Sequence, residues 1–282
     1  MDIGRLGVWS IGLRSGDRTR NAEAAAELEE LGYAATWLGG GPGVEDAVPL
    51  LEATSRMVVA TGILNIWQHE PEAVAEQAAK LDQDHPGRFV LGLGVSHAPL
   101  VGDRYGRPYE KMIDYVDRLD AAGSPAGRRV LAALGPKMLE AARDRAAGAH
   151  PYLVTPEHTR RAREILGSGP LLAPELKVVL DRDLDSARSA AREHLAMYLR
   201  LPNYTRSLLR LGFSEDDLAG TGSDRLIDSV FALGDLDAVD RRLTEHFDAG
   251  ADHVTIQVIT HNRDALPLGE WRSLAPLATA HA

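Results

Sequence analysis

Short apolar runs alternate with longer Ala-rich segments along this chain. The runs have the length and β-branched content of buried strands, and the segments between them carry apolar residues at helical spacing. Strands that alternate with helices in this way are typical of a parallel α/β fold. The predicted strands are residues 3–9, 34–38, 57–64, 89–95, 130–134, 151–154, 176–180 and 253–259. Because eight parallel strands close a barrel, the pattern predicts a (β/α)8 TIM barrel.

Two longer stretches interrupt the regular alternation. The first, residues 99–127, follows the fourth predicted strand and contains a predicted helix over 109–121. The second follows the seventh strand and contains predicted helices over 186–199, 203–211 and 225–233. Both insertions would rise from the C-terminal face of a barrel, where substrates bind. No Ser/Gly-rich linker separates two units, so residues 1–282 are predicted to form a single domain.

Composition narrows the range of partners. Lys and Arg number 31 against 41 Asp and Glu, which gives a formal net charge of −10. An acidic surface repels nucleic-acid phosphates and anionic lipids, so we expect a small-molecule partner, with no nucleic acid and no membrane. No apolar run approaches the roughly 20 residues of a membrane span, and the N-terminus lacks a signal-peptide pattern, so a soluble cytoplasmic protein is expected.

Metal and thiol chemistry are not expected. The chain contains no Cys, which excludes a disulfide scaffold, a thiolate zinc site and a Cys nucleophile. Residues 181–185 resemble the opening of a calcium loop, but the sixth position is Ser186 and the twelfth is Arg192. These acidic residues are therefore predicted to cap the following helix.

Three strand ends carry candidate chemistry, each with an ordinary alternative. His97 follows the fourth strand and is either a catalytic imidazole or a structural hydrogen-bonding group. Residues 134–137 join the fifth strand to a helix, whose free N–H groups and Lys137 could bind an anion; an exposed Lys on a plain turn is the alternative. The glycines of residues 39–43 favour a turn over a ligand loop.

Four strand-end segments and one helix together resemble the luciferase-like superfamily of flavin and deazaflavin barrels, and within it the coenzyme F420-dependent oxidoreductases. The segments are residues 61–65 before Glu70-Pro71, 88–94, 135–139 and 151–156, and the helix with its following strand is residues 29–37. The likeness spans nearly the whole chain through the order and spacing of these segments.

The resemblance implies a ring bound over the C-terminal mouth of the barrel and a homodimer. It implies a cis peptide bond at Gly62-Ile63 that supports the ring, and a phosphate held at Gly135 and Pro136, next to Lys137. His97 is the candidate catalytic proton donor. The remaining candidates contact the ring or line the substrate pocket: Asn65, Ser96, Trp67 and Tyr152.

One departure from the family keeps several functions open. Where relatives carry an acid and a His after the second strand, this chain has Gly39, Gly40 and Gly41. The leading hypothesis is an F420-dependent oxidoreductase that transfers a hydride to or from a small organic substrate. The alternatives are an FMN-dependent monooxygenase, a noncatalytic cofactor-binding relative, and a phosphate-binding barrel isomerase or hydrolase. The leading hypothesis requires strand ends that converge on a mouth able to seat a flat ring and its anionic tail. Scattered strand ends, or a mouth filled by the chain's own side chains, would contradict it.

Overall fold

Parallel strands and surrounding helices account for most of residues 1–260 and 265–282, which the computed structural model describes. The strands in this part of the chain are β1 Leu6–Ser10, β2 Ala35–Leu38, β3 Val58–Thr61, β4 Leu64–Asn65, β5 Phe89–Gly94, β6 Arg129–Leu131, β7 Gly148–Ala149, β8 Leu171–Leu172, β9 Glu175–Val179, β10 Phe231–Leu233 and β11 Val254–Val258. They form one parallel sheet in the order β10-β9-β11-β1-β2-β3-β5-β6-β7-β8, with β4 beside β5.

Hydrogen bonds close this sheet into a barrel. β8 and β9 are two halves of one strand, interrupted at Ala173 and Pro174. The Ala173 N–H donates to the Ala149 carbonyl oxygen at 2.9 Å on one side, and the Pro174 carbonyl accepts from Thr255 N–H at 3.1 Å on the other. The predicted TIM-barrel fold is thereby confirmed, with β1, β2, β3, β5, β6, β7, β8/β9 and β11 as its strands.

Helices cover the barrel and form the two predicted insertions. Their bounds are α1 Arg18–Glu30, α2 Val48–Ala53, α3 Pro71–Asp84, α4 Ala98–Val101, α5 Pro108–Ala121, α6 Pro136–Arg145, α7 Pro156–Leu166, α8 Leu184–Leu195, α9 Pro202–Arg210, α10 Glu215–Leu218, α11 Asp224–Val230, α12 Leu236–Asp248 and α13 Leu268–Ala280. The insertion after β5 contains α4 and α5, and the insertion after β9 contains α8 to α11. Among the described helices, none is long and apolar enough to span a membrane.

Several predicted elements were wrong in position. The third predicted strand divides into β3 and β4 around a turn, and the sixth lies at Gly148–Ala149, before the predicted residues 151–154. Leu153 has a φ of +56°, which a strand does not adopt, so the apolar run that suggested a strand is a rim turn. Residues 231–233, predicted to end a helix, form β10 and pair with β9.

Apolar side chains divide into three packed groups. Alternate residues of β9 show the division: Leu176 and Val178 belong to the layer between strands and helices, while Val179 packs with the second insertion. A third group, with Trp9 and Trp37, fills the barrel interior. The second insertion therefore has a distinct apolar core on the C-terminal face, to which the barrel contributes Leu153, Val179 and Ile259.

Candidate functional site

The carboxyl ends of the barrel strands share one face, which we call the mouth. The Gly39 N–H donates to the Ser10 carbonyl oxygen at 2.9 Å. In the same way, the Gly62 N–H donates to the Leu38 carbonyl oxygen at 2.7 Å. The segments that follow neighbouring strands are therefore bonded side by side, and the predicted strand-end residues converge on one rim.

The segment after β3 carries three of the predicted cofactor-binding residues. The peptide bond between Gly62 and Ile63 is cis, as the resemblance implies. The Trp9 indole N–H donates to the Gly62 carbonyl oxygen at 3.0 Å. Asn65 is buried, and its Oδ1 accepts from the Trp67 backbone N–H at 3.1 Å. The Asn65 side chain therefore fixes the turn that follows β4.

Steric and backbone constraints explain why glycine occupies the positions after β2. A Cβ atom at Gly39 would collide with the six-membered ring of Trp9. Gly40 and Gly41 have φ values of +74° and +78°, which favour glycine. The Arg14 guanidinium donates to the carbonyl oxygens of Gly39 at 2.7 Å and Gly40 at 2.6 Å. These glycines make room for Trp9 and for a turn that Arg14 holds.

Four rings, the aromatic cluster of Trp9, Tyr152, Tyr198 and Tyr204, fill the centre of the mouth. The Tyr152 ring centroid lies 5.2 Å from that of Trp9, 5.6 Å from that of Tyr198 and 6.1 Å from that of Tyr204. The Tyr152 hydroxyl donates to Gln257 Oε1 at 2.8 Å and lies 2.7 Å from the Tyr198 hydroxyl. The strand ends converge as expected, but the expectation of a mouth open to a flat ring was wrong for this structure, because these four side chains occupy its centre.

A buried ion pair lies beneath the aromatic cluster. Lys177 Nζ donates to the two carboxylate oxygens of Glu175 at 2.9 and 2.8 Å, and both side chains are inaccessible to solvent. Lys177 Nζ also lies 3.5 Å from the Tyr152 ring centroid, at cation–π distance. Burial lowers the pKa of Lys177 to about 8 and raises the pKa of Glu175. The pair therefore supports Tyr152 from inside the barrel.

His97, the predicted catalytic residue, lies at the rim between the barrel and the second insertion. Its Nδ1 lies 3.1 Å from Asn203 Oδ1 on α9, and its ring lies 5.3 Å from the Tyr204 ring. Burial lowers the pKa of His97, and the hydrogen bond that Asn203 Oδ1 accepts from the ring raises it by a smaller amount. The imidazole is therefore neutral at pH 7 and able to take up a proton.

The start of α6 has the features of an anion site. Gly135 is the N-cap residue and provides no side-chain cap, Pro136 is the first helical residue, and Lys137 is exposed. Arg210 of α9 brings a guanidinium nitrogen to 3.8 Å from the position that a Gly135 Cβ would occupy. Two cations thus lie near an uncapped helix N-terminus, an arrangement that suits a phosphate.

The other predicted residues lie along the rim. Ser96 is half-buried, directly before His97, with a φ of +53°. The Trp67 indole N–H donates to the Val95 carbonyl oxygen at 2.8 Å, and its ring lies 5.6 Å from that of Tyr105 in the first insertion. Trp67 thus packs against the first insertion, whereas Tyr152, its predicted partner in the pocket, belongs to the aromatic cluster.

Sequence analysis did not identify several residues of the mouth. Glu175 and Lys177 are two apart in a strand and therefore on one side of it, which was an available signal for an interior ion pair. Asn203, Tyr204 and Arg210 lie on the second insertion, and nothing in their spacing relates them to His97 or Gly135. Their role depends on how α9 packs against the barrel.

Comparison with known protein families identifies the relatives of this chain. The sequence model of the family described as "Luciferase-like monooxygenase" matches residues 6–124. The "Putative coenzyme F420-dependent oxidoreductase" of Mycobacterium tuberculosis is 24% identical, over 91% of this chain and 93% of that protein.

Solved structures with the same fold hold different coenzymes. An F420-dependent secondary alcohol dehydrogenase in complex with an F420-acetone adduct has a TM-score of 0.71 at 14% identity, over 95% of this chain and 99% of that chain. The oxygenating constituent of 3,6-diketocamphane monooxygenase of Pseudomonas putida, in complex with FMN, has a TM-score of 0.69 at 14% identity. The match covers 99% of this chain and 98% of that chain. These likenesses show the fold and do not distinguish between the two coenzymes.

Proposed function

We propose that this chain is an oxidoreductase of the luciferase-like family that binds coenzyme F420 and exchanges a hydride with a small organic substrate; the match of the family model to residues 6–124 supports this. The family uses F420 or FMN. The observation that supports F420 is the likeness to the mycobacterial relative, which extends over nearly the full length of both chains.

The residues at the start of α6 fit the anionic tail of such a coenzyme. The Lys137 backbone N–H and side chain, together with Arg210, supply donors and positive charge where Gly135 leaves space. Helix N-termini bind phosphates through such N–H groups and the helix dipole. Gly135, Pro136 and Lys137 would therefore hold the tail, as predicted, with Arg210 as an additional cation.

The ring would occupy the mouth, bordered by Gly62, Ile63, Asn65 and Ser96. Because the aromatic cluster fills the centre of the mouth, binding of the ring requires that Tyr204 on α9 separate from Tyr152. The apolar faces of Trp9 and Tyr152, whose planes are inclined at 45°, then offer an apolar surface from which water is excluded.

The bound coenzyme supplies the hydride chemistry, and the protein supplies orientation and proton transfer. His97 moves the proton, since it is a half-buried imidazole at the rim whose lowered pKa keeps it neutral near pH 7. Gly39, Gly40 and Gly41 carry no side chain for this task, so His97 takes it over.

A fluorescence titration tests this function. Oxidised F420 and FMN are added separately to the purified protein, and binding is followed by quenching of tryptophan emission. We expect binding of F420 at least ten-fold tighter than that of FMN. Lys137→Gln should weaken F420 binding about five-fold, the loss expected for one cation near a helix N-terminus, while Lys80→Gln, on a distant helix, should leave it unchanged. Tighter binding of FMN would contradict the proposal.

An FMN-dependent monooxygenase is the second candidate. It is favoured by the FMN-bound monooxygenase of the same fold. Oxygen consumption in the presence of reduced FMN, together with FMN binding, would support it. If neither coenzyme bound at high micromolar concentration, a noncatalytic relative would replace both candidates.

A further inference from the structure

A buried imidazole of α7 contacts the turn from which α6 begins. His158 lies in the first turn of α7, where the Thr155 side chain caps the helix by accepting a hydrogen bond from the His158 backbone N–H at 3.3 Å. His158 is 5% exposed, and its Nε2 lies 3.1 Å from the Leu134 carbonyl oxygen. Leu134 directly precedes Gly135, the N-cap residue of α6. One buried side chain therefore connects α7 to the start of the neighbouring helix.

This contact determines the protonation of His158. A carbonyl oxygen only accepts hydrogen bonds, so Nε2 carries the proton and donates it to Leu134. Nδ1 then carries the lone pair, and it is buried with no hydrogen-bond partner among the described residues. Burial lowers the pKa of His158 to about 4, and the cations of Arg210 and Arg161 act in the same direction. At pH 7 His158 is therefore a neutral donor, which can direct the turn but adds no positive charge to it.

A fixed Leu134 carbonyl group orients the anion site at the start of α6. Because a peptide unit is planar, the Gly135 N–H keeps one direction when the Leu134 oxygen of the same unit is held. The first turn of α6, with the Lys137 N–H, then keeps a constant direction relative to the Arg210 guanidinium. A phosphate is bound well only where such donors point to one place, so their orientation determines the affinity.

We propose that His158 is a positioning residue that holds the turn before α6, so that the anion site is already formed when a phosphate group of the coenzyme reaches it. This inference rests on the proposed coenzyme function and assigns a residue of α7 to it. His158 acts through the Leu134 carbonyl group and not by contact with the phosphate. A turn that is held in advance does not have to be ordered on binding, which strengthens the affinity for the anion.

Pyrophosphate binding to the coenzyme-free protein tests this role. The titration is followed through the Lys137 amide signal in nitrogen-15 NMR spectra. His158→Phe keeps a ring in the buried position and removes the donor, so the affinity for pyrophosphate should fall about ten-fold, the effect of one buried hydrogen bond. His158→Gln keeps an N–H donor, so its affinity should stay within about three-fold of the wild-type value.

Thr159→Val is the matched control. Thr159 is the next residue of α7 and is also buried; its hydroxyl donates to the Thr155 carbonyl oxygen at 3.4 Å and lies 2.9 Å from His246 Nδ1. These hydrogen bonds do not involve α6, so the variant should lower the unfolding midpoint and leave the affinity for pyrophosphate unchanged. Equal affinities of the wild type and His158→Phe would overturn the proposal. An equal loss of affinity in Thr159→Val would also overturn it, because the effect would then follow from stability alone.

The wild-type protein gives a second measurement that does not depend on the folding of a variant. The ring nitrogens of His158 are assigned in nitrogen-15 NMR spectra at pH 7. We expect the proton on Nε2, as donation to the Leu134 carbonyl oxygen requires. A proton on Nδ1 would refute the positioning role, and so would a wild-type protein that does not bind pyrophosphate.

A titration with F420 separates this inference from the function on which it rests. Tight F420 binding that His158→Phe does not weaken would refute the positioning role and leave the coenzyme assignment intact. Absence of F420 binding by the wild type would refute the proposed function, while the pyrophosphate titration would still decide whether His158 positions the anion site.

Discussion

Removal of the buried Lys177 cation should destabilise the protein strongly. In Lys177→Met the carboxylate of Glu175 keeps the Leu153 N–H as a donor, at 3.1 Å, but loses two bonds to Nζ at 2.9 and 2.8 Å. Both side chains are inaccessible to solvent, so water cannot replace the lost partner. The Tyr152 ring also loses the cation that lies 3.5 Å from its centroid.

The size of the effect follows from this burial. Breaking one partner of a buried ion pair costs about 3–5 kcal/mol, because an uncompensated charge or a newly protonated carboxyl remains in the interior. The free energy of unfolding of a protein domain is about 5–15 kcal/mol, so this loss is a large part of the total stability. The double variant Glu175→Gln with Lys177→Met has no charge left to compensate and should recover at least about 2 kcal/mol of this loss.

Urea unfolding at pH 7, followed by far-UV circular dichroism, measures these differences. Lys80→Met removes an exposed ion pair with Asp84 on α3 and serves as the control; its unfolding midpoint should stay at the wild-type value. A loss below about 1 kcal/mol in Lys177→Met would refute the reasoning, and so would a double variant no more stable than the single one.

Two further predictions concern the barrel itself. Burial lowers the pKa of His150 and that of His253 to about 4, so the contribution of these two side chains to the free energy of unfolding should be constant above about pH 7 and fall as the pH is lowered toward 4, by up to about 3 kcal/mol for each His. Equal urea unfolding midpoints of the wild type at pH 7 and pH 5 would contradict this pH dependence. Gly92→Ala should lower the free energy of unfolding by about 2 kcal/mol or more, because its Cβ would collide with the Thr61 carbonyl oxygen. Gly169→Ala places its Cβ in open space and should leave the thermal midpoint within about 2 °C of the wild-type value. Similar midpoints for the two variants would show that the β3–β5 contact adjusts.

The strand and helix pattern was sufficient to predict the barrel and its two insertions. Parallel strands buried on both sides form continuous apolar runs, and β1, β2, β5 and β11 follow this rule to within a few residues. The rule failed for β7, where Gly148–Ala149 has little apolar content while the apolar residues 152–154 form a turn. A two-residue strand gains its stability from its neighbours and leaves little local signal.

The candidate site was predictable only where it lies on strand ends. His97, Gly62 and Gly135 follow strands whose ends are fixed by the barrel topology, so their convergence could be inferred from order alone. Asn203 and Arg210 could not be related to them, because the position of α9 depends on the packing of Tyr204 against Tyr152 and Tyr198. Of the four rings that fill the mouth, Tyr152 alone was predicted to lie in the pocket. Trp9 was missed because its position depends on the space that Gly39 leaves for it.

The separate apolar core of the second insertion has a consequence for how such proteins diversify. Because most of the apolar partners of these helices lie within the insertion, their sequence can change with few demands on the barrel beyond the contacts with Leu153, Val179 and Ile259. Selection for a new ligand can therefore act on the block that carries Asn203 and Tyr204 while the barrel stays constant. A chimera that receives residues 181–230 from a relative should inherit that relative's choice of ligand.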